Sequence, residues 1–249
     1  MKILLSPAKT LDYKSVFPRI KTSKPVFEKQ ANALNTVLQL KSPKQLTELM
    51  YVSDKLAELN WKRNQDWEKT NEVRPAVYAF QGAAYVGLDA YSIKEKDLDY
   101  LERTLRILSG QYGLLKPFDL IKPYRLEMGS KLQVDNYKSL YEFWDAKVTD
   151  TINDELISDE VVVNLASNEY FKVIKPKLLK AKIITPIFKD YKSGQYKVIS
   201  FYAKKARGKM TRFAVDNQIE NVEKLKTFAV DGYGFDEKIS TQKDWVFTR

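Results

Sequence analysis

The run VVVNLA at residues 161 to 166 constrains the fold more than any other stretch. Three β-branched residues followed, after Asn164, by Leu165 and Ala166 suit a strand hidden on both faces, which needs strands beside it and helices over it. KILLS at the start of the chain reads the same way. It closes at once in Ser6-Pro7-Ala8, because proline lacks a backbone donor and cannot continue a central strand.

Around these two strands the spacing is mostly helical. Apolar residues recur at helical intervals from 25 to 40, and Ser42-Pro43-Lys44-Gln45 has the cap, first-turn proline and returning Gln of a helix start. That helix presents Leu46, Leu49 and Met50, and a second, capped at Ser53, presents Leu56 and Leu59. RPAVYAFQGAAYVGL (74 to 88) reads as strand-like. Ser92 with Glu95 opens a helix through Leu98, Leu101, Leu105 and Leu108 that stops at Gly110, and 136 to 154 forms another, with Leu140, Phe143, Trp144, Val148 and Ile152 as its stripe. After VVVNLA, Ser167 caps a helical turn, and AKIITPIFKD and QYKVISF form a hairpin across Tyr191 to Gly194. A helix follows from about Tyr202 to Asp216, then TFAVDGYGF and DWVFTR as strands. The expected class is α+β, a mixed α/β fold in one domain spanning 1 to 249, and the hairpin argues against a purely parallel sheet.

The chain has no Cys and no His. Thiolate and imidazole chemistry are excluded, no cofactor is implied, and tight metal binding is not expected, since ferrous and zinc sites draw on those ligands. Catalysis would fall to Asp, Glu, Lys, Tyr, Arg, Ser or Thr. No apolar run approaches the roughly twenty residues of a membrane span, and MKILLSPAKT is too short in its apolar part for a signal peptide, so a cytoplasmic protein is expected.

Charge is regional. Between Ala166 and Arg212 there are thirteen Lys or Arg against only Glu169 and Asp190, a net of +11, while the whole chain carries +10. Lys204, Lys205, Arg207, Lys209 and Arg212 crowd into nine positions with no carboxylate. On a helical wheel they occupy roughly 200°, opposite an arc of roughly 100° holding Ala203, Ala206, Met210, Phe213 and Ala214. One helix thus has a dry face and a cationic face suited to a polyanion, with Gly208 inside the cationic arc where it lets another backbone come close. Phe201, Tyr202, Tyr191 and Tyr196 lie beside these cations, with Tyr170 and Phe171 earlier, a mixture that suits phosphates and exposed bases or else cross-strand packing.

Other constellations are weaker. Lys9 and Thr10 follow a strand, but that loop lacks the glycines of a phosphate cradle. Gly110 and Gly113 follow a predicted helix in LSGQYGLLKP, as a phosphate-binding helical hairpin or a plain helix stop. Arg125 and Glu127, two apart in KPYRLEMGSK, share a strand face as an ion pair or as clamp and base. Asn168 and Glu169 sit where a strand enters a helix, a favoured ligand position in α/β layouts.

MKILLSPAKTLDY, RPAVYAFQGAAYVGLDA, LRILSGQYGLLKPFDLIKPYRLEMG, LYEFW, VNLASNEYF, ITPIFKD and ISFYAKKARG, in this order and spacing, resemble the hallmark blocks of the YaaA (DUF328, UPF0246) family of peroxide stress proteins over essentially the whole chain. The resemblance implies one domain of unusual mixed α/β fold with a positively charged cleft, and tolerance of hydrogen peroxide linked to limiting free iron and protecting DNA. It also implies duplex DNA binding and a helix-hairpin-helix element, for which Leu108 to Pro117 is the candidate. Ala83 and Thr104 depart from the family pattern, so a mechanism needing an acid or an imidazole there does not carry over.

The leading expectation is a monomeric protein that binds double-stranded or structured DNA, indirectly limiting iron-driven damage. Lys204, Lys205, Arg207, Lys209 and Arg212 would meet phosphates, with Lys9, Lys116, Lys122 and Arg125 outlying and Asn168 and Tyr202 in the same cleft. The alternative is an enzyme on a small phosphorylated or carboxylated substrate, with Arg125 and Lys204 as clamp and Glu127 or Glu169 as acid or base. An enzyme should gather these groups in a narrow pocket; a DNA binder should offer a wide groove.

Overall fold

The computed structural model describes all 249 residues, Met1–Arg249. Strand β1 (Lys2–Leu5) is buried along its length, and β2 (Thr10–Leu11) follows its Pro7 turn. The next elements are α1 (Glu28–Gln39), α2 (Pro43–Met50) and α3 (Asp54–Gln65). The capping box at the start of α2 forms in full, Ser42 and Gln45 each satisfying the other's backbone N–H. In α3 the buried face is not the leucine face. Leu56 and Leu59 are exposed, while Ala57, Asn60 and Asn64 turn inward. α3 and α1 are tied by amides, with Asn35 and Gln39 donating to the Asn64 carbonyl and Gln65 donating to that of Gln39.

Residues 74 to 88 are not one strand. Short β3 (Arg74–Pro75) and β4 (Phe80–Gln81) alternate with α4 (Ala76–Ala79) and α5 (Ala83–Leu88). The helix expected from Ser92 to Gly110 is cut at Thr104: α6 (Leu98–Thr104) gives way to β5 (Leu105–Ser109). Leucines at 98, 101, 105 and 108 fit a helical period. β1, however, offers a parallel partner from Leu105 onward, pairing Ile3 with Leu105 and Leu5 with Ile107, while Leu108 pairs with Leu114 on the other side, and tertiary pairing overrides the local period.

The helix-hairpin-helix assignment at Gly110 and Gly113 is therefore corrected. β5 turns directly into antiparallel β6 (Gly113–Leu115), every residue from Leu105 to Leu115 is buried, and β7 (Leu120–Ile121) follows. Both glycines serve packing. A Cβ on Gly110 would lie 2.3 Å from the Leu126 carbonyl oxygen; at Gly113, where φ is +67°, it would strike the Trp144 ring at 2.7 Å. A helical hairpin exists elsewhere, where α2 and α3 pack together across Tyr51-Val52-Ser53.

The amphipathic stretch 136 to 154 keeps its buried stripe but breaks at Asp145 into α7 (Leu140–Trp144) and α8 (Lys147–Glu155). β8 (Val161–Leu165) is the VVVNL run, and α9 (Asn168–Phe171) the turn after it. β9 (Lys182–Lys192) and β10 (Gln195–Lys197) form the expected hairpin, and α10 (Ser200–Asp216) the expected helix. TFAVDGYGF is mostly 3-10 turns before β11 (Gly234–Phe235), which pairs with β12 (Asp244–Thr248).

The mixed sheet has the order β11-β12-β9-β8-β1-β5-β6, with β10 added to β9. β12, β9, β8, β1 and β5 run parallel. One continuous apolar core reaches from Met1 to Phe247, so no boundary divides the chain. All four methionines, Met1, Met50, Met128 and Met210, are buried in it. No helix is long and apolar enough to cross a membrane.

α10 lies across α5 at a contact that only glycine permits. A Cβ on Gly208 would fall 1.7 Å from the Ala84 carbonyl oxygen, and one on Gly87 would fall 2.2 Å from that of Lys205. Gly208→Ala is expected to lose about 3 kcal/mol in urea unfolding through overpacking, although alanine intrinsically favours a helix by about 1 kcal/mol. Gly234→Ala, with open space around the new methyl, should change stability by less than about 0.5 kcal/mol.

Candidate functional site

β1 and β8 are neighbours, paired from Lys2 with Val162 to Leu5 with Leu165, but the chain leaves them in opposite directions. β1 leads to β5 on one side, and β8 leads to β9 on the other. In parallel sheets such a switch point opens a crevice beyond the carboxyl ends of the strands. There a pocket of 310 Å³ is floored by Ser6 to Thr10 and Ser167, walled by Gly82 to Tyr85 and Tyr170, and edged by Glu169, Lys204 and Arg207.

The floor is stitched together. Ser6 Oγ accepts the Ser167 N–H at 2.9 Å and donates to the Ser167 hydroxyl, while the Ser6 carbonyl accepts Tyr85 OH at 3.0 Å. Burial pushes the Tyr85 and Tyr170 phenols well above their ordinary range, so both walls are neutral rings. Glu169 is exposed, and its Oε1 is held by the Gly129 N–H at 3.0 Å.

The predicted cations divide into free and occupied. Lys204 is exposed and has no ion pair. Arg207 is half-buried in the pocket edge, burial pulls its guanidinium below the ordinary value, and it has neither an ion pair nor a side-chain hydrogen bond. Lys9, across the pocket, reaches Glu127 at 3.1 Å while remaining largely exposed.

The other candidates have partners or lie elsewhere. Arg125 binds Glu127 Oε1 at 3.0 Å, so this clamp is already neutralised. Glu127 itself is only 9% exposed, and its Oε2 and the Arg125 Nε have no partner. Both residues line a 10 Å³ recess that shares Pro7, Ala8, Lys9 and Tyr170 with the main pocket. Lys209 is bridged to Asp231, and Arg212 holds Asp216 at 2.7 Å, Ser92 Oγ at 2.6 Å and the Asp89 carbonyl at 3.0 Å. Lys122 donates to the Trp67 carbonyl and lies over the Trp67 ring. Lys116 follows β6, whose antiparallel course carries it away from the pocket. Asn168 is exposed at the start of α9 and does not line the pocket. Lys205 and Tyr202 share a separate groove with Phe201, Asp231, Tyr233 and Arg249, and the Arg249 guanidinium lies 4.8 Å from the Tyr202 ring.

Beside the pocket the sheet grows an arm. β9 pairs Ile184 with Val163 and continues to Lys192, passing the end of β8 by about six residues, or roughly 20 Å. At its tip Tyr191 and Tyr196 are cross-strand partners, edge to face at 5.3 Å, and both are exposed. Val198, Phe201 and Tyr202 continue this exposed strip toward α10, with Lys192 and Lys197 exposed beside them.

Sequence reasoning missed Ser6, Ser167, Tyr85 and the walls at Gly82 to Tyr85, and found Tyr170 only as one of the rings near the cations. A signal existed for the serines, since one lies just beyond each buried run, in KILLS and in VVVNLAS.

The family described as peroxide stress protein YaaA matches residues 1–239. A UPF0246 protein of Flavobacterium johnsoniae is 53% identical over 252 residues, covering all of both chains. UPF0246 proteins of Aliivibrio fischeri and Idiomarina loihiensis are 52% and 49% identical over 254 residues, covering all of this chain and 98% of their own.

Arg207 is a partly desolvated charge without a partner, and such a group weakens the fold it sits in. Arg207→Met is expected to gain about 1 kcal/mol in urea unfolding. A loss of similar size would mean that the guanidinium holds structure rather than waiting for a ligand.

Proposed function

Because this chain belongs to the family of YaaA peroxide stress proteins, we propose that it serves the peroxide stress response by binding DNA along the surface that runs from the β9–β10 arm to the pocket edge. The observation that carries this reading is the separation of free from occupied cations. Lys204 and Arg207 stand unpaired beside the pocket and Lys192 and Lys197 stand exposed on the arm, whereas Lys209, Arg212, Lys122 and Arg125 are consumed by internal partners. Cations kept free along one side of a molecule suit a polyanion that supplies its own regularly spaced charges.

The exposed rings of Tyr191, Tyr196, Phe201 and Tyr202 add faces on which unpaired bases stack, so this surface suits structured as well as plain duplex. The α2–α3 pair, with Lys55 exposed just after its turn and Lys44 exposed in the first turn of α2, supports a second phosphate contact of helix-hairpin-helix form. With neither Cys nor His in the chain, the effect on iron-driven damage is read as indirect, through covering DNA rather than holding iron.

Duplex binding titrated against salt is the test. With about six phosphates neutralised, log K should fall against log salt with a slope of about −5. Lys204→Ala and Lys192→Ala should each reduce the magnitude of that slope by about 1. Arg212→Ala should leave the slope unchanged while lowering stability. A flat salt dependence would refute the proposal.

A further inference from the structure

We propose that the pocket at the β1–β8 switch point receives a single nucleotide, its phosphate on Arg207 and Lys204 and its base between Tyr85 and Tyr170. This rests on the DNA-binding reading where the nucleotide is one turned out of a bound strand; a free nucleoside monophosphate has the same chemistry.

Size is the first argument. At 310 Å³ the pocket is at the small end of ligand sites, which run from about 300 to 1,000 Å³, and a duplex cannot enter a space of that size. It is also far larger than a bare phosphate requires. A site beside a DNA-binding surface but too small for the helix takes a nucleotide only when that nucleotide leaves the stack.

The second argument is how polarity is distributed. Lys204 and Arg207 are three apart on α10, so they project from one face onto the same edge of the pocket. The Arg207 guanidinium has no acceptor of its own, and its planar fork matches two oxygens of one phosphate. Away from that edge, apart from Lys9, which is paired with Glu127, the walls are apolar or neutral: Leu5, Ala84, Tyr85, Leu165 and Tyr170. Charge at the rim and neutral rings within is the arrangement that an extrahelical base with its phosphate requires.

The third is Glu127. Its Oε2 is buried without a donor, in the recess that adjoins the pocket past Pro7 and Lys9. A base carrying an amino group or ring N–H at its edge supplies the missing donor, directly or through one water.

The experiment compares anisotropy binding of a fully paired duplex with that of the same duplex carrying one unpaired nucleotide, alongside calorimetric titration with deoxynucleoside monophosphates and with inorganic phosphate. The intact chain should prefer the unpaired site by about tenfold, because an unpaired base is the least costly to extrude. Ala83→Trp, which fills the pocket, should remove that preference while paired-duplex affinity changes less than about twofold, whereas Arg207→Gln should remove the preference and also weaken paired-duplex binding, since the same guanidinium serves both. No preference, but monophosphate binding lost in Arg207→Gln, upholds the site and makes the free nucleotide its occupant. Monophosphate binding without any duplex binding upholds the site and sinks the DNA reading alone. Duplex binding with neither preference nor monophosphate binding overturns the pocket assignment. So does inorganic phosphate binding as tightly as the monophosphates.

Discussion

Two helices touching backbone to backbone set the geometry of everything around the pocket. α10 and α5 meet at Gly208 and Gly87, with no room for a single methyl at either contact. Arg207 adjoins that contact and Lys204 lies one turn before it, so the two cations are positioned against Ala83, Ala84 and Tyr85 by steric necessity. A looser crossing built on larger side chains would move α10 outward and take the cations away from the strand ends. The glycine inside the cationic arc is there for a neighbouring helix.

Topology supplies the second constraint. Because β1 and β8 send the chain in opposite directions, no connection crosses the space beyond Leu5 and Leu165, and the loops that follow can only rim it. Ser6, Ser167 and Tyr85 then join the strand ends by hydrogen bonds, leaving a cross-linked floor beneath Lys9 and Lys204. The charge distribution has the same logic. Carboxylates neutralise Arg125, Lys209 and Arg212 where they serve packing, while Lys204 and Arg207 are left without acid partners.

The parts of this arrangement that follow a local rule are legible in the amino acids. β-branched and apolar runs announced β1 and β8, the Ser42 box announced α2, and the wheel of Ala203, Ala206 and Met210 announced α10 and its dry side. What local rules miss is whatever a distant partner decides. Leu105 and Leu108 fit a helix until β1 offers a ladder to the first and β6 to the second. Leu56 and Leu59 look like core, but α1 meets α3 through amides. Counting charge found the basic region, yet it did not distinguish Arg207 from Arg212, because only folding shows that one has Asp216 and Ser92 while the other has nothing. The pocket combines residues near positions 6, 83, 167 and 204, a proximity that no window along the chain contains.

The burial of all four methionines has a meaning beyond packing. Thiols and thioethers are the side chains that peroxide attacks most readily, and attack requires access. This chain offers no thiol at all, and Met1, Met50, Met128 and Met210 are each at most 5% exposed. A protein called upon when oxidant is plentiful thus presents the oxidant with an almost sulfur-free surface, and keeps its own working parts out of the reaction it endures.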